Sequence, residues 1–367
     1  MKRRLKNILV TGGAGFVGSH FIRFIFNKNT FNGKVINVDK LTYSGNLENL
    51  EDVENKFGKN KYYFEKEDIC DFNKMKEIFQ KYDIDTVVNF AAESHVDRSI
   101  YGPKDFIQTN IVGTFNLLEV AREYWRGKEK EGILFHYPST EEVFGSIKEG
   151  GFFGPHSSYK PNNLYAASKA SAEHLTRAYH HTYGLPVTIS HCSGNYGPHQ
   201  FPEKLIPLMI INILEEKTLP IYGTGKNIRD WIYVEDHCQA IWEIVNKGRI
   251  GETYNLGGEN EWENIKLVNV LCEKIAKIKG KDKSYYKRLI TYVKDRPGHD
   301  LRYAVDCDKI KGELGWRRKY RFEEGLDITI QWYMNNQGWL DRIRSGEYKN
   351  WLERNYDSNR IVTSNDL

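Results

Sequence analysis

The sequence predicts a doubly wound α/β fold: a parallel sheet with helices on both faces and a smaller C-terminal α/β lobe. Three observations carry this. Apolar strand-like runs alternate with helix-period segments through the first half, and a glycine-rich loop joins the first strand to the first helix. After about residue 195 the rhythm shortens and Pro, Gly and aromatic residues punctuate it, as in Asn195-Tyr196-Gly197-Pro198. The 367 residues therefore divide into 1–195, an interleaved lobe 196–355 and a polar tail 356–367.

In chain order, Asn7–Thr11 is an apolar strand and Val17–Phe26 repeats apolar residues at helical spacing. Val35–Asp39, Tyr62–Glu65 and Thr86–Ala91 read as the second, third and fourth strands. Phe106–Arg122 carries the apolar stripe of a core-facing helix. Ile133–Ser139 is a strand, Ala166–Tyr183 a helix and Pro186–Cys192 a further strand. Such alternation calls for parallel pairing with helical crossovers.

Composition narrows the partners. Charged residues make up 28% of the chain with a net charge of +4, and both signs are interspersed. That gives no electrostatic case for nucleic acid or a membrane surface. The 23 Tyr, 18 Phe and 8 Trp supply a core. No apolar run approaches the roughly 18 residues that span a bilayer. Met1-Lys2-Arg3-Arg4-Leu5-Lys6 leads straight into the first strand, without the apolar stretch of a signal peptide. Cys70, Cys192, Cys238, Cys272 and Cys307 show neither CxxC nor Cys/His metal spacing. The expectation is a cytoplasmic protein with reduced thiols and no metal.

Thr11-Gly12-Gly13-Ala14-Gly15-Phe16-Val17-Gly18 fits both GxGxxG and TGxxGxxG. Glycines here let the backbone approach a pyrophosphate, which sits on free N–H groups at the helix start. Asp39 lies 21 residues after Gly18, where a Rossmann dinucleotide site needs an acid for the adenine-ribose hydroxyls. Its charge favours NAD over a 2′-phosphorylated cofactor, although Lys40 beside it could receive that phosphate. Asp68 and Ile69 follow the third strand to edge the adenine, and Ala91 and Ala92 follow the fourth to line the cofactor.

Tyr165 and Lys169 stand four residues apart on one helix face. An ammonium near a phenol favours the phenolate, which accepts a proton while a nicotinamide accepts hydride. Thr140 ends the strand before them, placed to polarise a carbonyl. Glu141 and Glu142 come next, at the carboxyl end of a parallel strand, where adjacent acids suit general acid and base work.

These residues resemble the extended short-chain dehydrogenase/reductases, and within them the dTDP-glucose 4,6-dehydratase family. The likeness extends to Ala91-Ala92-Glu93-Ser94-His95-Val96-Asp97-Arg98-Ser99, Phe201-Pro202-Glu203-Lys204-Leu205-Ile206-Pro207, Arg229-Asp230-Trp231 and Arg296-Pro297-Gly298-His299-Asp300. The resemblance implies bound NAD, with Tyr165 deprotonating a hexose 4-hydroxyl, Lys169 assisting and Thr140 holding the new ketone. Glu142 would then take the C5 proton and Glu141 would protonate the departing 6-hydroxyl. It places Asn195, Lys204 and Leu205 near the diphosphate or its sugars, and Arg229 on a phosphate. Glu93, His299 and Tyr348 would serve the sugar, base or pocket wall. It also implies a homodimer built on Phe106–Arg122 and Ala166–Tyr183.

Against the family pattern, Glu141 replaces Asp, Phe144 replaces Tyr, Leu164 replaces Pro, and His191 and Gly194 replace Arg and Asn. Pro138 stands where an apolar residue is usual, and Gly154–Ser158 lacks an acidic run. These departures gather around the hexose pocket, while the cofactor loop matches closely. Two other readings follow: a relative acting on a different nucleotide sugar, by altered elimination or epimerisation, and a non-catalytic NAD-binding scaffold.

Overall fold

The computed structural model describes residues 3–28, 31–58, 60–129 and 132–344. Tyr348 and the tail 356–367 lie outside them. The first strands are β1 (Asn7–Thr11), β2 (Lys34–Val38), β3 (Tyr62–Glu65), β4 (Thr86–Asn89), β5 (Leu134–Thr140) and β6 (Val187–Cys192). They continue with β7 (Gly194–Tyr196), β8 (Leu219–Tyr222), β9 (Ile228–Tyr233), β10 (Thr253–Leu256), β11 (Glu261–Glu263) and β12 (Ile290–Val293).

Seven strands pair in parallel in the order β10-β6-β5-β4-β1-β2-β3. Their side chains alternate between the two faces, so Leu9 and Val87 enter one core while Val10 and Val88 enter the other. Burial on both faces explains why these strands read as continuous apolar runs. The fourth strand stops at Asn89, ahead of the expected Ala91, freeing the backbone at Ala91 and Ala92 for the crevice.

One face is covered by α1 (Phe16–Asn27), and the other by helices that follow α2 (Glu51–Phe57). They are α3 (Phe72–Tyr82), α6 (Thr114–Tyr124) and α7 (Leu164–Tyr183), with the short α4 (Val96–Tyr101) and α5 (Pro103–Phe106) packed on α7. The Asp71 carboxylate caps α3 by accepting from Lys74 N at 3.0 Å. Asn163 caps α7, which ends at Gly184 in the left-handed conformation, φ 67°. Phe106–Arg122 is not one regular helix. Ile107–Gly113 is a π-helical stretch between α5 and α6, and its Asn110 side chain reaches across to the backbone of Glu93 and the hydroxyl of Ser168.

The rest of the chain adds α8 (Leu205–Leu214), α9 (Val234–Lys247), α10 (Asn264–Ile278), α11 (Asp308–Leu314), α12 (Phe322–Asn335) and α13 (Gln337–Arg344). Here β11-β9-β7 and β12-β8 form two small sheets beside a core that includes Met209, Ile210, Leu271, Leu326 and Ile330. Residues beyond 195 also complete the first layer: β10 extends the main sheet beside β6, and α9 shares the core of α1. Among the described residues no helix is long and apolar enough to cross a membrane.

Candidate active site

The carboxyl ends of β1, β4, β5 and β6 open into a cavity of ≈ 450 Å³ roofed by the second lobe. Every residue expected to bind cofactor, bind substrate or act chemically borders it, apart from Tyr348, which lies outside the described residues.

The glycine loop fits a dinucleotide. Gly12 has φ +66°, and a Cβ there would come within 2.7 Å of the Ala91 nitrogen. A Cβ on Gly18 would lie 2.3 Å from the Gly12 carbonyl, so the loop closes only with glycine. Gly15 occupies the N-cap of α1 with no side-chain cap and no acid in the first turn. The helix start thus offers its N–H groups to an anion. Asp39 accepts from Ala14 N at 3.0 Å and Leu41 N at 2.8 Å, and burial pushes its carboxyl above the usual range. Lys40 is engaged with Asp68 at 3.4 Å and the Thr109 hydroxyl at 3.3 Å. The side chain that could have received a 2′-phosphate is therefore held by the adenine-side acid.

At the other end, Thr140 finishes β5 and its hydroxyl caps a 3₁₀ turn over Glu141–Phe144, accepting from Glu142 N at 3.3 Å. The Thr140 hydroxyl and the Tyr165 phenol border the same cavity. Lys169 is buried, donates to the Pro138 carbonyl at 2.8 Å and covers the Tyr137 ring at 4.3 Å. Burial lowers its pKa to about 8. The sequence spacing suggests a phenol eased toward ionisation by this lysine, and the protein alone does the reverse. Burial, then the Glu142 charge, pushes Tyr165 well above its ordinary value.

The two acids occupy contrasting environments. Glu141 is 2% exposed, and its Oε2 has no hydrogen-bond partner. Burial, followed by the charge of Asp230, pushes its carboxyl well above the ordinary carboxylate value, favouring the protonated form. Glu142 is half-buried and accepts from Asn163 Nδ2 at 3.1 Å. Cys192 ends β6 at the same cavity, and burial pushes its thiol up to about 12.

The second lobe brings the remaining residues. Lys204 donates to the Ser94 carbonyl at 2.7 Å, and Leu205 begins α8. Asn195 donates to the Ser193 carbonyl at 3.1 Å and keeps a buried, unpartnered Oδ1. Arg229 donates to the Asp300 and Ile228 carbonyls, both at 2.8 Å, over the Tyr303 ring at 4.3 Å. His299 meets Asp295 at 2.6 Å; burial lowers it to about 4. Glu93 is half-buried, and its carboxyl is raised by burial.

Sequence reasoning missed Asn163, Asn110 and Asp230. Asn163 had a signal: an Asn before a helix is a cap. It left no sign of its other contact, with Glu142.

A parallel sheet, a glycine-loop dinucleotide crevice and a Tyr/Lys helix meeting it define an extended short-chain dehydrogenase/reductase. The model of the GDP-mannose 4,6 dehydratase family matches residues 9–329. The chain belongs to the dTDP-glucose 4,6-dehydratase family. It is 51% identical to dTDP-glucose 4,6-dehydratase 1 of Escherichia coli K12 over 362 residues, covering 95% of this chain and 99% of the other. The dTDP-glucose 4,6-dehydratase of Streptomyces venezuelae, solved with NAD bound, superposes with TM-score 0.84 at 42% identity, over 92% of this chain and 99% of that one. The Bacillus anthracis enzyme in complex with NAD gives 0.81 at 44%, with the same coverage. A UDP-glucose 4-epimerase from Thermotoga maritima shares the fold at 29% identity, TM-score 0.78.

Proposed function

We propose that the protein converts dTDP-glucose to dTDP-4-keto-6-deoxyglucose, as an NAD-dependent hydro-lyase, and that the five residues at the reacting end divide the work. The observation that carries the reading is a buried Glu141 with an unpartnered Oε2, its carboxyl raised by burial, beside a half-buried Glu142 held by Asn163. One acid that keeps its proton and one placed to accept are what an elimination needs. Epimerisation through the same ketone needs neither.

When bound, NAD supplies the hydride acceptor for the first step and the donor for the last. Tyr165 takes the proton of the 4-hydroxyl as C4 is oxidised. Lys169 holds the ribose, and its ammonium steadies the phenolate. Thr140 donates to the 4-keto oxygen. That ketone acidifies the C5–H, whose proton passes to Glu142. Glu141 protonates the 6-hydroxyl, which leaves as water, and Glu142 returns a proton to C5 as C6 is reduced. Asn195, Lys204 and Arg229 hold the diphosphate side of the substrate, with Glu93 and His299 along the sugar and base.

A homodimer through the α5–α6 segment and α7 is supported by their outer surface. Ile107, Phe115 and Tyr183 are 53%, 43% and 55% exposed, and Phe115 and Tyr183 both lie against Tyr179.

Incubation of the protein with dTDP-glucose, and separately with other nucleotide hexoses, tests the reading. The 4-keto-6-deoxy product should form from dTDP-glucose. Turnover of another nucleotide hexose with dTDP-glucose untouched would contradict it.

A further inference from the structure

His237 lies in the first half of α9, the helix that shares a core with α1. The next residue, Cys238, has its sulfur 3.9 Å from the Val17 carbonyl, which places this part of α9 behind the first turn of α1. The imidazole is 2% exposed, yet neither Nδ1 nor Nε2 has a hydrogen-bond partner. A buried ring with both nitrogens unsatisfied is rare in native proteins and calls for a missing partner. The ring borders the dinucleotide cavity.

Its position along that cavity is fixed by β5. His136 and Tyr137 are adjacent in this strand and point to opposite faces. Lys169 covers Tyr137, whereas His136, bonded to the Thr188 and Ser190 hydroxyls, is the side chain that feels His237. At the carboxyl ends of β5 and β6, Ser139, Thr140 and Cys192 border the same cavity as His237. Burial holds the His237 pKa at about 3, so the ring is neutral and offers one donor and one acceptor.

We propose that His237 is a polar contact for the nicotinamide carboxamide. A carboxamide presents a carbonyl acceptor and N–H donors, matching a neutral imidazole on both counts, whereas a pyrophosphate would use only its donor. The inference rests on the reading of the cavity as a nicotinamide dinucleotide site.

The test titrates cofactor-stripped protein with NAD and with ADP-ribose, which lacks the nicotinamide. His237→Leu should weaken NAD binding roughly three- to tenfold, the size of a lost hydrogen bond, and leave ADP-ribose binding unchanged. His237→Gln, which keeps a donor and an acceptor, should recover most of the loss. Should the Leu variant not fold, His237→Phe keeps the ring and should show the same selective loss. Equal weakening of both ligands, or none, in the variant that folds would overturn the proposal. Failure of the unmodified chain to bind either ligand would instead overturn the dinucleotide reading beneath it.

Discussion

The Asn163 side chain ties Glu142 to the helix that carries Tyr165. Its Oδ1 accepts from Ala166 N at 2.8 Å, capping α7, while its Nδ2 donates to Glu142 Oε2 at 3.1 Å. One amide thus sets the spacing between the group that takes the hydroxyl proton and the group assigned the C5 proton. Asn163→Ser keeps a cap and removes the donor. The variant should fold and oxidise C4 normally, while elimination slows by roughly tenfold, about one charge-assisted hydrogen bond. Single-turnover absorbance of the reduced cofactor checks this: it should form at the usual rate and decay slowly. An unchanged decay would remove Asn163 from the mechanism.

Replacing each reacting group should separate the steps. Tyr165→Phe should abolish the appearance of reduced cofactor. Glu142→Gln should allow that appearance and then stall, with turnover down roughly 10²- to 10⁴-fold. Equal loss of both steps in Glu142→Gln would contradict the division of labour.

Glu141 makes a prediction in pH. Its carboxyl is raised by burial, so it holds its proton to higher pH than an ordinary carboxyl does. The elimination rate should therefore fall as pH rises through that raised pKa, while C4 oxidation should show no such fall. Glu141→Asp withdraws the acid by about a bond length and should cost up to roughly 100-fold in elimination. Single-turnover measurements across pH read both, and an elimination rate that rises with pH would contradict the assignment.

The departures at Phe144 and His191 form one unit. Glu173 meets His191 Nε2 at 3.1 and 2.9 Å and also bonds Tyr159 and Arg177. Phe144, which ends the acid-bearing turn, packs on His191 at 4.6 Å and Tyr159 at 5.4 Å. Burial pushes the Glu173 carboxyl up, but the charges and hydrogen bonds of its partners outweigh it and lower it to about 2. A depressed carboxyl stabilises the fold above its ordinary value of 4.5 and ceases to as pH falls toward 2. Thermal unfolding from pH 5 to about 2 should show a fall in midpoint that is shallower in Glu173→Gln. Parallel curves would contradict the linkage.

Much of this was legible from sequence where contacts are local. Asn7–Thr11 and Tyr62–Glu65 carry the expected strand limits, and the glycine loop and the Tyr165–Lys169 spacing led directly to the cavity. What escaped depends on distant partners. The π-helical stretch at Asn110 keeps the apolar stripe of an ordinary helix, and only its bonds to Glu93 and Ser168 give it away. β10, Thr253–Leu256, joins the main sheet only by pairing with β6, about sixty residues earlier in the chain, which no local pattern announces. The ionisation of Tyr165 could not be read from spacing, because burial and Glu142 come from the fold.

The central claim is that one hydrogen leaves the hexose C4 and returns at C6 after water is lost. dTDP-glucose carrying deuterium at C4 should yield a product with deuterium in its C6 methyl group, read by mass spectrometry and NMR. Deuterium lost to solvent, or kept at C4, would contradict the account.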